Sequence, residues 1–142
     1  MDRFTEINTN PKRKNTSDCV IRSLALALEI DAKTILKDLT KIYLETGYYA
    51  SDPKCYGPYL ESKGFKRHGQ PRKPDRKRYR GYEFCEKLDD NPKVYGVVVA
   101  HVGNGHLSTM KNIKEDPERY YTVHDTWDCS ERVVGTYWAK EK

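Results

Sequence analysis

The sequence has few of the features that mark metal-binding, disulfide-bonded or membrane proteins. Its four cysteines, at positions 19, 55, 85 and 129, are far apart and form no Cys-x-x-Cys pair, so their spacing supports neither a zinc site nor a thioredoxin-type redox site. No apolar stretch near the N-terminus resembles a signal peptide, and no apolar run is long enough to span a bilayer. We therefore expect a cytoplasmic protein with reduced thiols, no metal, no organic cofactor and no membrane association.

Acidic residues are scarce in one stretch of the chain, residues 63–80. This segment holds nine Lys or Arg residues against Asp75 alone, a local charge of +8 in a chain of net charge +5. The rest of the chain therefore carries a charge of −3. Because glycines and prolines interrupt the segment and no apolar periodicity runs through it, we expect 63–80 to be a solvated basic loop.

The N-terminal half of the sequence predicts helices. Residues 1–14 are polar and are expected to form an extended lead-in. An apolar run predicts a first helix that begins near Cys19, and residues 52–64 predict a third helix, although Pro58 leaves open a turn followed by a single helical turn. The second helix is expected over 31–47. Its apolar face is formed by Ile35, Leu36, Leu39, Ile42 and Tyr43.

The C-terminal half changes to a pattern typical of strands, after a short amphipathic element of undetermined type around 82–88. Residues 94–102 form a nearly continuous β-branched run, as expected for a strand buried on both faces. A Gly-Asn-Gly turn at 103–105 predicts a hairpin. The expected strands are 94–102, 106–110, 120–123 and 132–138. Helices followed by antiparallel strands predict one α+β domain spanning residues 1–142.

Cys19 lies where a polar loop becomes the first helix. Ser17 and Asp18 are good N-cap residue types, so the helix is expected to begin within a residue of Cys19. Unpaired N–H groups and the positive end of the helix dipole stabilise a thiolate at such a position. The pattern therefore allows an activated nucleophile, with a small buried apolar residue as the alternative.

A nucleophilic cysteine needs an imidazole and a group that orients it. His106 opens a strand directly after the glycine turn, whereas His101 is expected in the core, His68 in the solvated loop, and His124 as a competing base. Asp125 ends the following strand and is expected to orient the imidazole, although it could equally begin a turn. Taken singly, His106 could also cap the hairpin.

The order of these residues resembles the papain-like cysteine peptidases: Cys19 heads a helix, His106 opens a strand, and Asp125-Thr126-Trp127 ends the next one. The compact peptidases that cleave leader peptides of bacteriocins are the most similar. The resemblance implies a papain-like fold, with Cys19 as nucleophile, His106 as base and then acid, and Asp125 as the orienting group. It implies cleavage of a peptide or isopeptide bond through a thioester. Transglutaminases and arylamine acetyltransferases share the plan, so acyl transfer stays open.

One family feature is missing from this sequence. The family places a glutamine shortly before the cysteine, where it completes the oxyanion hole, but the only glutamine here is Gln70. Asn15 is the expected substitute, with Asn10 as the second choice. Without such a donor the chain would be a slow or inactive member of the family. A catalytically inactive papain-fold binding or inhibitor protein is thus an alternative to the enzyme.

The basic segment allows two kinds of partner. Its cations, with Phe65, Tyr79 and Tyr82 as stacking residues, would suit a nucleic-acid-binding module. In a peptidase the same segment would favour a protein or peptide substrate that carries an acidic stretch. The residues expected to contact this substrate are Arg76, Lys77, Arg78 and Trp127.

Overall fold

The computed structural model describes residues 2–115 and 117–141. Within these ranges three consecutive helices follow a short first strand, and four consecutive strands end the chain. In chain order the elements are β1 (Phe4–Glu6), α1 (Cys19–Leu28), α2 (Ala32–Thr46), α3 (Pro53–Ser62), β2 (Phe65–His68), α4 (Gly81–Asp89), β3 (Val94–Val102), β4 (His106–Asn112), β5 (Tyr121–Asp125) and β6 (Val134–Glu141). The predicted α+β class is confirmed.

The strands form one six-stranded sheet in the order β1-β5-β4-β3-β6-β2. The four strands expected from the C-terminal half are its centre, and they pair with one another antiparallel. At one edge β1 joins β5 in parallel, with Phe4 opposite Val123. The sheet is therefore mixed, whereas the sequence predicted an antiparallel one.

The sheet is covered on both faces, so the protein has two apolar cores. Side chains of β3 alternate between them: Val97 and Val99 pack against α1, α2 and α3, while Val98 and Ala100 belong to the core that includes α4. This alternation explains why 94–102 is apolar almost throughout, and the prediction of a strand buried on both faces is confirmed.

The helix boundaries follow local sequence signals. At the start of α2, Asp31 Oδ1 accepts a hydrogen bond from the Thr34 N–H at 3.0 Å, and the helix ends at Gly47 with φ 82°. In α3 the helix runs on through Pro58, so the alternative of a broken segment is wrong. The element of undetermined type is helix α4.

Two expected loops contain strands. The lead-in 1–14 includes β1, and the basic segment 63–80 includes β2, which pairs with β6. Both strands are short and lie at the two edges of the sheet, so each has a neighbouring strand on one side only. In β2 only Phe65 is buried, so no alternating pattern was available to predict it. Among the described residues, no helix is long and apolar enough to cross a membrane.

Candidate active site

Cys19 is the first residue of α1 and is partly exposed. Asp18 occupies the N-cap position, but its side chain makes no capping hydrogen bond. Its Oδ1 accepts from Arg22 Nε at 2.7 Å and its Oδ2 from Asn10 Nδ2 at 2.7 Å. The N–H groups of the first turn of α1 therefore have no capping side chain, and the positive end of the helix dipole lies at Cys19.

His106 lies between the thiol and a buried carboxylate. It is the first residue of β4, next to β5, whose last residue is Asp125. His106 Nε2 donates a hydrogen bond to Asp125 Oδ2 at 2.7 Å. His106 also hydrogen-bonds Cys19. Three residues from three elements, far apart in sequence, thus form one continuous chain of polar contacts.

The ionisation of Cys19 and His106 is coupled through this contact. Burial opposes a thiolate, but hydrogen bonds from His106 and from the Leu107 backbone, with the charges of His106 and Arg22, lower the pKa of Cys19. Burial likewise opposes an imidazolium, but hydrogen bonds to Asp125, Cys129 and Cys19 raise the pKa of His106 to about 11. Both shifts favour a thiolate–imidazolium pair over a neutral thiol beside a neutral imidazole.

Asp125 is only 3% exposed and fully hydrogen-bonded. Oδ1 accepts from Arg22 Nη1 at 3.0 Å and from the Thr126 N–H at 2.7 Å. Oδ2 accepts from His106 and, at 2.6 Å, from Ser108 Oγ. Burial alone would favour the neutral acid, but these donors hold the pKa of Asp125 well below its usual range. The carboxylate is thereby fixed in place and stays charged.

A metal-ligating set overlaps this network. One ligand atom each from His106, Asp125 and Cys129 lies within 4.8 Å of the other two. Both oxygens of Asp125 already accept hydrogen bonds, however, and the Arg22 guanidinium lies 3.0 Å away, where its charge would repel a cation. We therefore assign the three residues to the hydrogen-bond network, in which Cys129 Sγ donates to Asp125 Oδ2 at 3.7 Å.

Neither His68 nor His124 belongs to this hydrogen-bond network around Cys19. His68 was expected to be free in solvent, but its Nε2 lies 2.5 Å from Glu141 and its ring stacks on Tyr137 at 4.8 Å. That expectation is wrong because the residue belongs to β2. His124 lies on the opposite face of β5 from Asp125, and burial and Lys111 lower its pKa to about 4.

Two depressions meet at Cys19. A groove of about 620 Å³ is lined by Cys19 together with Asn10, Pro11, Ser17, Asp18, Val20, Ile21, Ala32, Lys33, Leu36, Tyr49, Ala50 and Ser51. A cavity of about 450 Å³ is lined by Cys19 together with Val20, Ser51, Pro53, Tyr56, His101, Gly103, Gly105, Leu107 and Gly135. The groove and the cavity share Cys19, Val20 and Ser51, so the thiol lies where the two depressions join into one cleft.

The remaining predicted site residues lie at varied distances from the thiol. Asn15 is exposed on the loop before α1 and lines neither depression, whereas Asn10 lines the groove. Trp127 is 41% exposed, and its ring centroid lies 5.0 Å from that of His106. Trp127 therefore shields one side of the imidazole from water.

Part of the basic segment borders the cleft. Arg78 and Arg80 line a cavity of about 360 Å³ together with Arg132, and this cavity shares Gly103 and Gly135 with the one that holds Cys19. Arg76 and Lys77, which were expected to act with Arg78, do not line it.

The aromatic residues of the basic segment, expected to stack on bases, are engaged within the protein. Phe65 is 4% exposed, Tyr79 packs on Phe84 at 5.8 Å, and the guanidinium of Arg3 covers Tyr82 at 3.8 Å. A base-stacking surface therefore has little support in this part of the fold.

Several residues of the site were not anticipated from the sequence. Arg22 contacts two carboxylates from within the apolar run of α1, and a charged residue in such a run was the available signal. No comparable signal in the sequence predicted the contribution of four further residues to the site: Ser108, Cys129, Tyr56 and His101.

Comparison of the chain with models of known protein families, with curated proteins and with solved structures finds no match. A functional proposal therefore depends on the geometry and chemistry of the site itself.

Proposed function

We propose that this protein is a cysteine hydrolase with a papain-like arrangement, cleaving a peptide or isopeptide bond. Cys19 is the nucleophile, His106 the group that first gives and then takes a proton, and Asp125 the group that orients His106. The observation that carries the proposal is His106, which bridges a thiol at a helix start and a buried, fully hydrogen-bonded carboxylate.

The reaction follows from the charges of these groups. The thiolate of Cys19 bonds to the carbonyl carbon, and the C=O electron pair moves onto oxygen. When this intermediate collapses, the C–N bond breaks and His106 gives its proton to the departing amine, which leaves a thioester on Cys19. Water then attacks the thioester while His106 takes its proton, and the released acid leaves the thiolate–imidazolium pair restored. An amine in place of water would give acyl transfer.

The oxyanion needs at least two donors. One is the backbone N–H of Cys19, at the uncapped start of α1. For the second we favour Asn10 over Asn15, because Asn10 lines the groove and Asp18 fixes its amide at 2.7 Å. Loss of such a donor typically slows turnover about 100- to 1000-fold, which separates an active enzyme from a fold that only binds.

The cleavage experiment should use substrates with an acidic stretch. Arg78, Arg80 and Arg132 line the cavity beside the cleft with Glu131 as the opposing charge, so an acidic segment fits there. In Arg78→Glu, KM for an acidic fluorogenic peptide should rise about 3- to 10-fold with little change in kcat. Arg76→Glu, which lies outside this cavity, is the matched control. Equal KM values in both variants would refute the assignment of this cavity to an acidic substrate segment.

The proposal is tested first by alkylation with iodoacetamide between pH 5 and 9, locating the modified cysteine by mass spectrometry. Wild-type Cys19 should react at pH 6 to 7, ahead of the buried Cys55 and Cys85, whose pKa values are raised by burial. In His106→Ala the reaction at pH 6.5 should slow about tenfold, since a thiol of ordinary pKa is roughly 1% ionised there and its higher intrinsic nucleophilicity offsets part of the loss.

His68→Ala is the control for this experiment, because His68 pairs with Glu141 at the edge of the sheet. It should leave the pH profile of Cys19 unchanged. The assignment of Cys19 as the nucleophile would be refuted if Cys19 reacted no faster than the other thiols. It would also be refuted if the pH profile of its alkylation were unchanged in His106→Ala.

A further inference from the structure

A second histidine borders the nucleophile, in a different chemical setting from His106. In the cavity of about 450 Å³ beside Cys19, the hydroxyl of Tyr56 hydrogen-bonds His101 Nε2. Tyr56 comes from α3 and His101 from β3, so neither element supplies a residue of the proposed triad. The pair therefore has no role in the reaction described above.

The Tyr56–His101 pair is held rigidly. The ring of Tyr56 lies edge-on to Trp138 with centroids 5.5 Å apart, and the ring of His101 does the same at 5.6 Å. Tyr56 is only 1% exposed. Its hydroxyl is therefore reached through the cavity by an inserted side chain more readily than by a main chain lying across the surface.

The pair is uncharged in the folded protein. Burial raises the pKa of Tyr56, so the phenol keeps its proton, and burial together with Arg67 lowers the pKa of His101, so the imidazole stays neutral. A neutral imidazole holds its proton on either ring nitrogen. If Nε2 carries the proton, the Tyr56 hydroxyl is free to donate into the cavity; if Nδ1 carries it, the Tyr56 oxygen is left as an acceptor.

The rest of the cavity is mostly apolar or without side chains. Among the described residues, Ser51 is the one polar lining residue besides Cys19 and the pair, and no described Asp, Glu, Lys or Arg lines the cavity. Gly135 keeps the wall open beside His101, because a Cβ there would lie 3.4 Å from the Cβ of His101. An anionic ligand group would lose its water without gaining an opposite charge, and a cationic one would meet only the Cys19 thiolate, whose charge His106 already neutralises. An amide or hydroxyl would keep its hydrogen bonds.

We propose that Tyr56 and His101 form a substrate subsite that hydrogen-bonds an uncharged polar side chain, such as that of Gln, Asn, Ser or Thr, next to the scissile bond. The proposal rests on the proposed function, since it places a peptide across Cys19. A site built to hydrogen-bond an amide discriminates against an analogue of similar size that lacks one.

The test compares covalent labelling of Cys19 by acetyl-dipeptidyl chloromethyl ketones that carry Gln, Leu, Glu or Lys at each of the two positions. At one position, wild type should react about 3- to 10-fold faster with Gln than with Leu, the range expected for one neutral hydrogen bond, and Glu and Lys should be slower still. In Tyr56→Phe the Gln and Leu rates should agree within about twofold.

Two controls separate substrate binding from other causes. Tyr59→Phe removes a hydroxyl from the same helix that donates to Asp38 at 2.6 Å outside the cavity, and should keep the Gln preference. Iodoacetamide, which needs no subsite, should alkylate Cys19 equally in all three proteins. Gly135→Val should slow every dipeptidyl reagent while leaving the iodoacetamide rate unchanged, because its side chain fills the cavity.

The outcomes that overturn the subsite are distinct from those that overturn the enzyme. The subsite proposal alone is refuted if wild type shows no preference for Gln, or if Tyr56→Phe retains that preference. It is also refuted if Gly135→Val leaves the rates of the dipeptidyl reagents unchanged. Loss of iodoacetamide reactivity in Tyr56→Phe would mean that Tyr56 supports the thiol and does not bind substrate. If iodoacetamide labels Cys19 but no dipeptidyl reagent does, both the subsite and the peptidase proposal fail.

Discussion

His101 and His106 lie five positions apart on one β-hairpin, and both border Cys19, yet their environments oppose each other. His106 Nε2 lies 2.7 Å from the carboxylate of Asp125, and its pKa is raised to about 11. His101 Nε2 instead meets the hydroxyl of Tyr56, and its pKa is lowered.

Burial does not separate the two imidazoles, because both are partly buried and burial lowers the pKa of both. What differs is the partner. Asp125 brings a negative charge that Arg22 and Ser108 keep ionised, whereas Tyr56 is neutral. One hairpin thus carries a histidine suited to proton transfer and another suited to neutral hydrogen bonding.

The largest effect should be the loss of stability in Arg22→Met. This substitution removes the cation that contacts Asp125 in the His106 network and does not touch His101. Arg22 is 8% exposed, and its guanidinium donates hydrogen bonds to both Asp18 and Asp125. Leaving two carboxylates there without their cation should lower the free energy of unfolding by about 3–5 kcal/mol. Urea denaturation at pH 7 measures this change.

Arg80→Met is the matched control for Arg22→Met, since Arg80 pairs with Glu131 at 3.2 Å in an exposed position. That variant should lose no more than about 1 kcal/mol. Equal losses in the two variants would mean that Arg22 is not the cation that sustains the buried carboxylate.

Much of this site was predictable because its principal residues lie at the ends of well-marked elements. Cys19 begins α1, His106 begins β4 and Asp125 ends β5, and the resemblance of this order to the papain-like peptidases suggested that they meet. The groups that set their charge were not predictable in this way. Arg22 and Asp125 are 103 positions apart, and Tyr56 meets His101 through the packing of α3 on the sheet, which no local pattern encodes.

The fold shows the same division between strong and weak local signals. Strand β3 has nine residues in alternating contact with two cores, so its sequence was unmistakable. Strands β1 and β2 have three and four residues, and each pairs with a strand distant in sequence. At that length, polar edge strands are indistinguishable from loops before their partners are known.

A smaller effect should appear in the pH dependence of stability of Cys19→Ala. The pKa of His106 in the folded protein lies above its unfolded value of about 6.5, so its contribution is complete below that pH and is lost as pH rises. With Cys19 as the proposed thiolate, the loss in wild type between about pH 6.5 and 8.5 is cancelled, because the folded chain holds the proton on His106 and the unfolded chain holds it on the thiol.

Cys19→Ala removes the cancelling thiol. Its unfolding free energy should therefore fall relative to wild type by up to about 1.4 kcal/mol per pH unit between pH 6.5 and 8.5. Cys55→Ala, which removes a buried thiol whose pKa is raised, should stay parallel to wild type over that range. Parallel curves for Cys19→Ala and wild type would mean that Cys19 is not a thiolate in the folded protein.

The smallest effect is expected from His101→Phe. His101 is neutral and its Nε2 is engaged with Tyr56, so removing its nitrogens should change the alkylation rate of Cys19 by less than about twofold between pH 6 and 8. His106→Ala, measured in the same experiment, should in contrast slow the alkylation of Cys19. If His101→Phe also shifted the pH profile of Cys19, the two histidines would belong to one proton network, and the hydroxyl of Tyr56 would lie within reach of the thiol's ionisation instead of serving the substrate alone.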